Sequence, residues 1–529
     1  MRCLFLFPLL FTIGCSGKNP QDPNCPCKKK KQVLHINIVD EPQTLDPRKV
    51  RSLNDANLIG LFMEGLMRIQ KDGTTAPAVA EKYSVSKDMK SYRFHLKETK
   101  WSNGDPVTAH DFVYAWKKVL TPSFLADNAF QLYPIKNAAF VKQGLLPVSM
   151  LGVNAIDDYT LAVELDQATP YFLELLTLPA FFPVHQGTDR QTPDWHKNPE
   201  MFVSNGPFQM QEWRHNDQIT AVKNGNYWDK SAVKLEEITM IMVDAETGLK
   251  MFTSGEIDWE GSPFSVIPLD ALASLQEKKM IEKHPLLGTY WIRVNTELAP
   301  FHTEELRKSL ALAINREEIV THIVEGVPAT GIVPASFGLQ DSPYFCDGSD
   351  EEAASFFNAA LQKEKLTIEK LPEITLTYIA DTKNHRIAQI IQDQWYKVLQ
   401  ISINLEPLER KIYFDRISKG DFQLACGSWV ADFRDPINFL EVFKSKNIGT
   451  NNTNWESLDY QKALEASYTL LAPSERKEAL KKSEEILMAE MPVIPIFHYT
   501  MLTVKQNRLK DVVLTDAGHI DFKWASFVE

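Results

Sequence analysis

Two periods run through this chain. Strand-like alternation of apolar and polar residues marks Leu34-His35-Ile36-Asn37-Ile38, Tyr92-Arg93-Phe94-His95-Leu96, Thr160 to Leu165 and Ile401-Ser402-Ile403-Asn404-Leu405. The longer helical period marks TAHDFVYAWKKVL, where Ala109, Phe112, Val113, Trp116 and Leu120 form one apolar face. Thr108 and Asp111 there have capping-box spacing. Thr303 opens a helix with two acids in its first turn and Leu306 and Leu310 along one side. Ile387 to Leu399 is another helix and leads straight into the strand at Ile401. A last one, about Ser474 to Met491, stops at Pro492 before the apolar strand Val493 to Phe497. Helix-then-strand alternation in the last third predicts an α/β lobe with partly parallel sheets, and no internal repeat is present.

One short stretch departs from these patterns. In GSWVADFRDPINFLEVF (Gly427 to Phe443), Asp435 stands before Pro436, and Ile437, Phe439, Leu440 and Phe443 recur at helical spacing. Asp before Pro at the first helical position is an ordinary helix start. Asp432 has no such role, because it follows Trp429-Val430-Ala431, the apolar end of a strand. A turn or a surface salt bridge is what the residues alone favour for it.

Length and composition narrow the class. A chain of 529 residues divides into two or three lobes. A net charge of −12 with no basic stripe excludes nucleic acid as a partner. Residues 1–14 read as a secretory signal: Arg2, then an apolar run from Leu4 to Ile13. That run is about ten residues, against roughly 20 for a membrane-spanning helix. No later segment is apolar enough to span. Thr12-Ile13-Gly14-Cys15 resembles a bacterial lipoprotein signal, with Thr12 where Leu is usual, and the resemblance implies a lipid on Cys15; simple cleavage is the other reading. Residues 15–32, rich in Pro and Lys, would then be the lipidated cysteine and a flexible stalk. The six cysteines make no disulfide framework, and Cys25-Pro-Cys27 lacks the second half of a zinc site. Those two are read as idle stalk thiols, with an intermolecular disulfide as the alternative.

Catalytic patterns are missing: no G-x-S-x-G, no phosphate-binding loop, no H-E-x-x-H and no G-x-G-x-x-G. The 12 histidines include no pair at metal-ligand spacing on one helix face. No enzyme, metal or cofactor is expected.

A family resemblance then becomes close. Glu41-Pro42-Gln43-Thr44-Leu45-Asp46-Pro47 resembles a motif of the bacterial extracellular solute-binding proteins of family 5, the peptide/nickel-binding family. Phe62 to Leu120 is similar to the longest characteristic block of its oligopeptide-binding branch. Ser204-Asn205-Gly206-Pro207-Phe208, Gly255-Glu256-Ile257-Asp258, Leu306 to Asn315 and Trp429 to Leu440 follow in order. The likeness spans essentially the whole mature chain. Read physically, WSNGDPVTAHDF is turn chemistry and a capped helix, and EPQTLDP a structural loop. These blocks are therefore taken as scaffold more than as ligand contact.

The resemblance implies an α/β, two-lobed periplasmic-binding-protein type II fold with an extra inserted α+β domain, three domains in all. Lobe I would be 33–52, 185–286 and 500–529, the inserted domain 53–184, and lobe III 287–499. The lobes would hinge near Leu287 and Thr500 and close over a ligand. The resemblance also assigns Asp432, in Trp429-Val430-Ala431-Asp432, to the α-ammonium of a bound peptide. A closing cleft strips water from that ammonium, and a fixed carboxylate offsets the penalty. The strand Cys426 to Val430 can offer backbone N–H and C=O to an extended ligand. The chain departs from the branch at the other end. Cys426 stands where an Arg helps hold the peptide carboxylate, and Arg293 falls where an acid is usual. His385 falls where the branch carries a His able to meet the carboxylate. Arg293, His385 or both would supply the positive end; the alternative is that Arg293 pairs with a lobe acid. The full ligand-binding set implied is Asp432, Trp429, Val430, Ser428, Cys426, Pro42, Trp291, Arg293, His385, Asn205 and Tyr499.

The resulting expectation is a monomeric, lipid-tethered receptor facing the periplasm or cell exterior. It would bind short peptides and deliver them to an ABC-type permease whose ATPase is on other chains. Murein peptides, dipeptides, nickel or haem are the alternatives within the family. An exported peptidase or a holdase is the alternative outside it.

Overall fold

The structure is a computed structural model describing residues 31–50, 52–446, 449–470 and 472–528. The signal stretch 1–14, Cys15, Cys25 and Cys27 lie outside the described residues. Among the described residues, strands form one eleven-stranded sheet, one four-stranded sheet and three two-stranded ribbons.

The large sheet is built on two long antiparallel strands, Glu282–Val294 and Val493–Lys505. On one side of this pair lie Leu424–Val430, Ile374–Ile379 and Ile403–Leu408, in that order. On the other lie Trp259–Gly261, Val33–Asn37, Glu237–Ile241, Gln218–Lys223 and Phe208–Arg214. A short strand, Val327–Pro328, also pairs with Val493–Lys505. Ile374–Ile379 runs parallel to both its neighbours, and Val33–Asn37 runs parallel to its two. Helix-connected parallel strands such as these require both faces covered, which is why their residues are largely buried.

Between the two long strands the pairing breaks. Pro285 is opposite Thr500, the register then shifts, and pairing resumes with Thr289 opposite His498. One apolar core lies to one side of this break, drawing on Leu34 to Phe264 and Leu509 to Ala525. Two others draw mainly on Tyr290 to Phe497. The four-stranded sheet, Ala80–Val85, Ser91–Leu96, Thr160–Glu164 and Val153–Asp157, forms separately from the large one. Against it packs the helix Ala109–Leu120, whose Thr108–Asp111 capping box is formed. The chain thus has two lobes joined by the long strands, with an appended α+β unit.

The EPQTLDP loop is tied into the first core. Arg48, fully buried, grips Asp46 through Nε and Nη2 and Asp189 through Nη1 and Nη2, at 2.6–2.8 Å. Burial opposes ionisation at Asp189, but its hydrogen bonds and the charge of Arg48 outweigh that and hold its carboxyl at about 2. Pro42 is buried in the same loop. SNGPF is likewise internal. Asn205 is 0% exposed, its Oδ1 accepting from Glu64 N and its Nδ2 donating to Glu64 O. A Cβ on Gly206 would sit 2.6–2.7 Å from the Phe62–Met63 backbone, so only glycine fits.

Candidate functional site

The site segment begins with the strand Leu424–Val430. Its Leu424 to Val430 residues pair with Val294 to Gly288 along one edge. On the other edge Ile374–Ile379 pairs only at Leu424 and Ala425. From Cys426 to Val430 that second edge carries no strand among the described residues, though the Cys426 carbonyl accepts from the Tyr413 hydroxyl. Backbone donors and acceptors on such an edge are open to another extended chain.

The strand then turns at the break between the lobes. Ala431 N donates to Leu287 O at 2.7 Å, and Leu287 N donates to Asp516 O at 2.6 Å. Asp432, the next residue, is thereby pinned where the lobes meet. Three cavities, of about 370, 390 and 680 Å³, all reach it. Asp432 has no hydrogen-bond or ion-pair partner among the described residues, and burial alone pushes its carboxyl upward. Asp435 is engaged differently. Its Oδ1 accepts from Ile437 N at 2.9 Å, and Arg476 grips it at 2.8 and 2.9 Å. Two aspartates three residues apart thus do different things: Asp435 starts a helix turn and pairs with a guanidinium, while Asp432 faces open space.

Trp429 lines the largest cavity and donates from Nε1 to Asn438 Oδ1 at 2.7 Å. Val430 is 43% exposed, Ser428 is exposed, and the Tyr499 hydroxyl faces Ser428. Lys383 lies 5.1 Å from the Tyr499 ring centroid and pairs with Glu325 at 2.6 Å. His385 sits exposed in the first turn of the helix Thr382–Leu399, its Nδ1 2.6 Å from the Tyr378 hydroxyl.

Arg293 crosses the strand from its neighbour. Its guanidinium lies over Gly427, where any Cβ would collide with it, and 5.7 Å from the Trp291 ring centroid. It has no carboxylate partner among the described residues. Burial pulls its pKa down, opposed by the neighbouring Tyr413 and Cys426.

Of the residues singled out from the sequence, Asp432, Trp429, Val430, Ser428, Tyr499 and Arg293 share this strand region. Cys426 belongs to the second core, its thiol pushed up to about 12 by burial. Trp291 is 0% exposed within the third core. Pro42 and Asn205 sit in the first lobe and line none of the three cavities. Sequence reasoning passed over Glu441, Tyr171 and Phe433, which line the largest cavity. Glu441 carried a usable signal: it lies one helical turn after the buried Ile437, so an acid occupies a core-facing position. Tyr171 carried none, since only tertiary packing stacks it on Phe433.

No group of three or more His, Cys, Asp or Glu side chains is placed to hold a metal ion among the described residues. No helix among them is long and apolar enough to cross a membrane.

Comparison with known proteins follows the same outline. The family described as bacterial extracellular solute-binding proteins, family 5 Middle, matches residues 74–451. The oligopeptide-binding protein OppA of Bacillus subtilis (strain 168) is 38% identical over 523 residues, 97% of this chain and 95% of that protein. The periplasmic murein tripeptide-binding protein MppA, in an unliganded open form, superposes with a TM-score of 0.83 at 28% identity. That match covers 94% of this chain and 98% of MppA. Another structure, of the Escherichia coli murein tripeptide-binding protein MppA, gives 0.74 at the same identity, over 94% and 99%. This chain is the more similar in shape to the open form.

Proposed function

The chain belongs to the bacterial extracellular solute-binding proteins of family 5, with their type II two-lobed fold, and from that premise we propose that it is a peptide receptor. It captures short peptides between its lobes and delivers them to an ABC-type permease whose ATPase is carried on other chains. It catalyses nothing, works as a monomer, and is held at the membrane by a lipid on Cys15. Lobe I comprises 33–52, 185–286 and 500–529, the inserted domain 53–184 and lobe III 287–499.

The single observation that carries the reading is Asp432, a carboxylate with no partner among the described residues, where three cavities meet. An acid so placed, raised by burial and without a partner, is costly to the empty protein and useful only to a cation that enters. A peptide's α-ammonium is such a cation. The open edge of the strand at Cys426–Val430 supports backbone pairing with the rest of the ligand, which gives affinity without reading side chains. Arg293 supplies the positive end. Its lack of an acidic partner among the described residues and its position over Gly427 support a role for it in place of the Arg the branch carries at Cys426. From Gly427 to Asp432 an extended chain covers roughly 16 Å, the span of about five residues. His385, exposed on the helix Thr382–Leu399, would meet the carboxylate of a longer ligand.

Calorimetric titration of defined tri- to pentapeptides tests the clamp. Asp432→Asn is expected to weaken binding by about a hundredfold or more, as a desolvated ammonium loses its partner. Arg293→Ala is expected to weaken it by about tenfold, with the largest loss for the longer peptides. Unchanged affinity in both variants removes the clamp. The likeness to MppA supports a second ligand of the same chemistry, a cell-wall peptide, which a parallel titration distinguishes.

A further inference from the structure

The cavity of about 680 Å³ beside Asp432 has one-sided chemistry. Tyr133, Tyr171, Trp429 and Phe433 wall it, and its charged side chains are all acids: Asp166, Asp432 and Glu441. Tyr171 and Phe433 stack with centroids 4.7 Å apart. Lys, Arg and His are absent from its lining among the described residues. The cations nearby are engaged elsewhere. Arg476 holds Asp435, Lys444 lies 3.7 Å from Glu465 and over the Tyr468 ring, and Lys136 holds Glu164 at 2.8 Å. Glu441 accepts from the Tyr468 hydroxyl and feels Lys444 at longer range, but has no ion-pair partner among the described residues.

Resting on the reading of Asp432 as the ammonium site, we infer that this cavity takes the side chain of the ligand's first residue and selects a cationic one, lysine or arginine, with Glu441 the acid that sets the preference. The α-ammonium occupies Asp432, so a second carboxylate in the same cavity is left for a second cation. Aromatic faces attract such a cation and pack against its apolar stem. A neutral side chain such as norleucine's would fill most of the space but give Glu441 no counter-charge, and an acidic one would meet like charge.

Calorimetry on the full chain with three tripeptides of one frame tests this: Lys-Ala-Ala, norleucine-Ala-Ala and Glu-Ala-Ala. The lysine peptide is expected to bind about tenfold tighter than the norleucine peptide, with the glutamate peptide weakest. Glu441→Gln is expected to bring the lysine-to-norleucine ratio towards one, and Asp166→Asn to lower it by less. Should Glu441→Gln fail to fold, the ratio in the unaltered protein and in Asp166→Asn still decides. Norleucine binding as tightly as lysine, or a ratio unmoved by Glu441→Gln, overturns the inference while leaving the receptor reading intact. Binding of none of the three overturns the receptor reading, and the inference with it.

Discussion

At the scale of single residues, Asp432 carries opposite consequences for stability and for binding. Burial raises its carboxyl above the ordinary carboxylate range, so ionisation opposes the folded, empty state. That opposition is absent below about pH 3.9, the unfolded value, and complete once the pH has risen through the raised folded value. Asp432→Asn is therefore expected to raise the thermal midpoint of the ligand-free protein at neutral pH by about 1–2 °C, and by nothing at pH 3. Scanning calorimetry of both proteins across pH checks it; a lowered midpoint at neutral pH contradicts it. Asp432 was legible in the sequence because it lacked a local task, whereas its neighbour Asp435 had one. Arg293 was legible only as an oddity. That its guanidinium lies across Gly427 depends on strand pairing between segments far apart in sequence, which no local pattern encodes.

At the scale of elements, periodic segments were read well and their ends less so. The helix beginning at Thr382 starts five residues before the periodic stretch Ile387 to Leu399. Its first turn, Thr-Lys-Asn-His-Arg, is polar and solvent-facing, and Asp381 caps it through Asn384 N. The strand expected at Ile401 begins at Ile403, because Gln400 ends the helix in the left-handed region and Ile401-Ser402 bridge the turn. The strand expected over Val493 to Phe497 continues to Lys505, since it crosses from one lobe's core to the other's and loses its apolar run midway. Pro42 is buried in the EPQTLDP loop, and Asn205 in SNGPF binds the backbone of Glu64. Gly206→Ala is accordingly expected to destabilise the protein by about 1–3 kcal/mol, through overpacking against the Phe62–Met63 backbone, and to leave the affinity of the folded fraction unaltered. Denaturant unfolding alongside titration measures both; full stability in Gly206→Ala contradicts the packing assignment.

At the scale of the whole molecule, the two lobes share one sheet through two long strands whose pairing fails at Pro285–Thr289. Asp432 hangs from that failure through Ala431 and Leu287. Closing the lobes would dry the three cavities at its side and strengthen its attraction for a cation just as water is lost. Ser428 and Val430 are exposed. Fold and family were readable from the sequence, since ordered motif blocks run from Glu41 to Leu440. The cavity walls were not, because Tyr171, Phe433 and Glu441 meet only when the lobes are assembled. The most direct measurement is a calorimetric comparison of one tight-binding tripeptide with its Nα-acetylated twin on the unaltered protein. Loss of the ammonium should weaken binding by about a hundredfold or more, and by far less in Asp432→Asn, where no carboxylate remains to be satisfied. Equal affinity for the free and acetylated peptides in the unaltered protein would contradict the account.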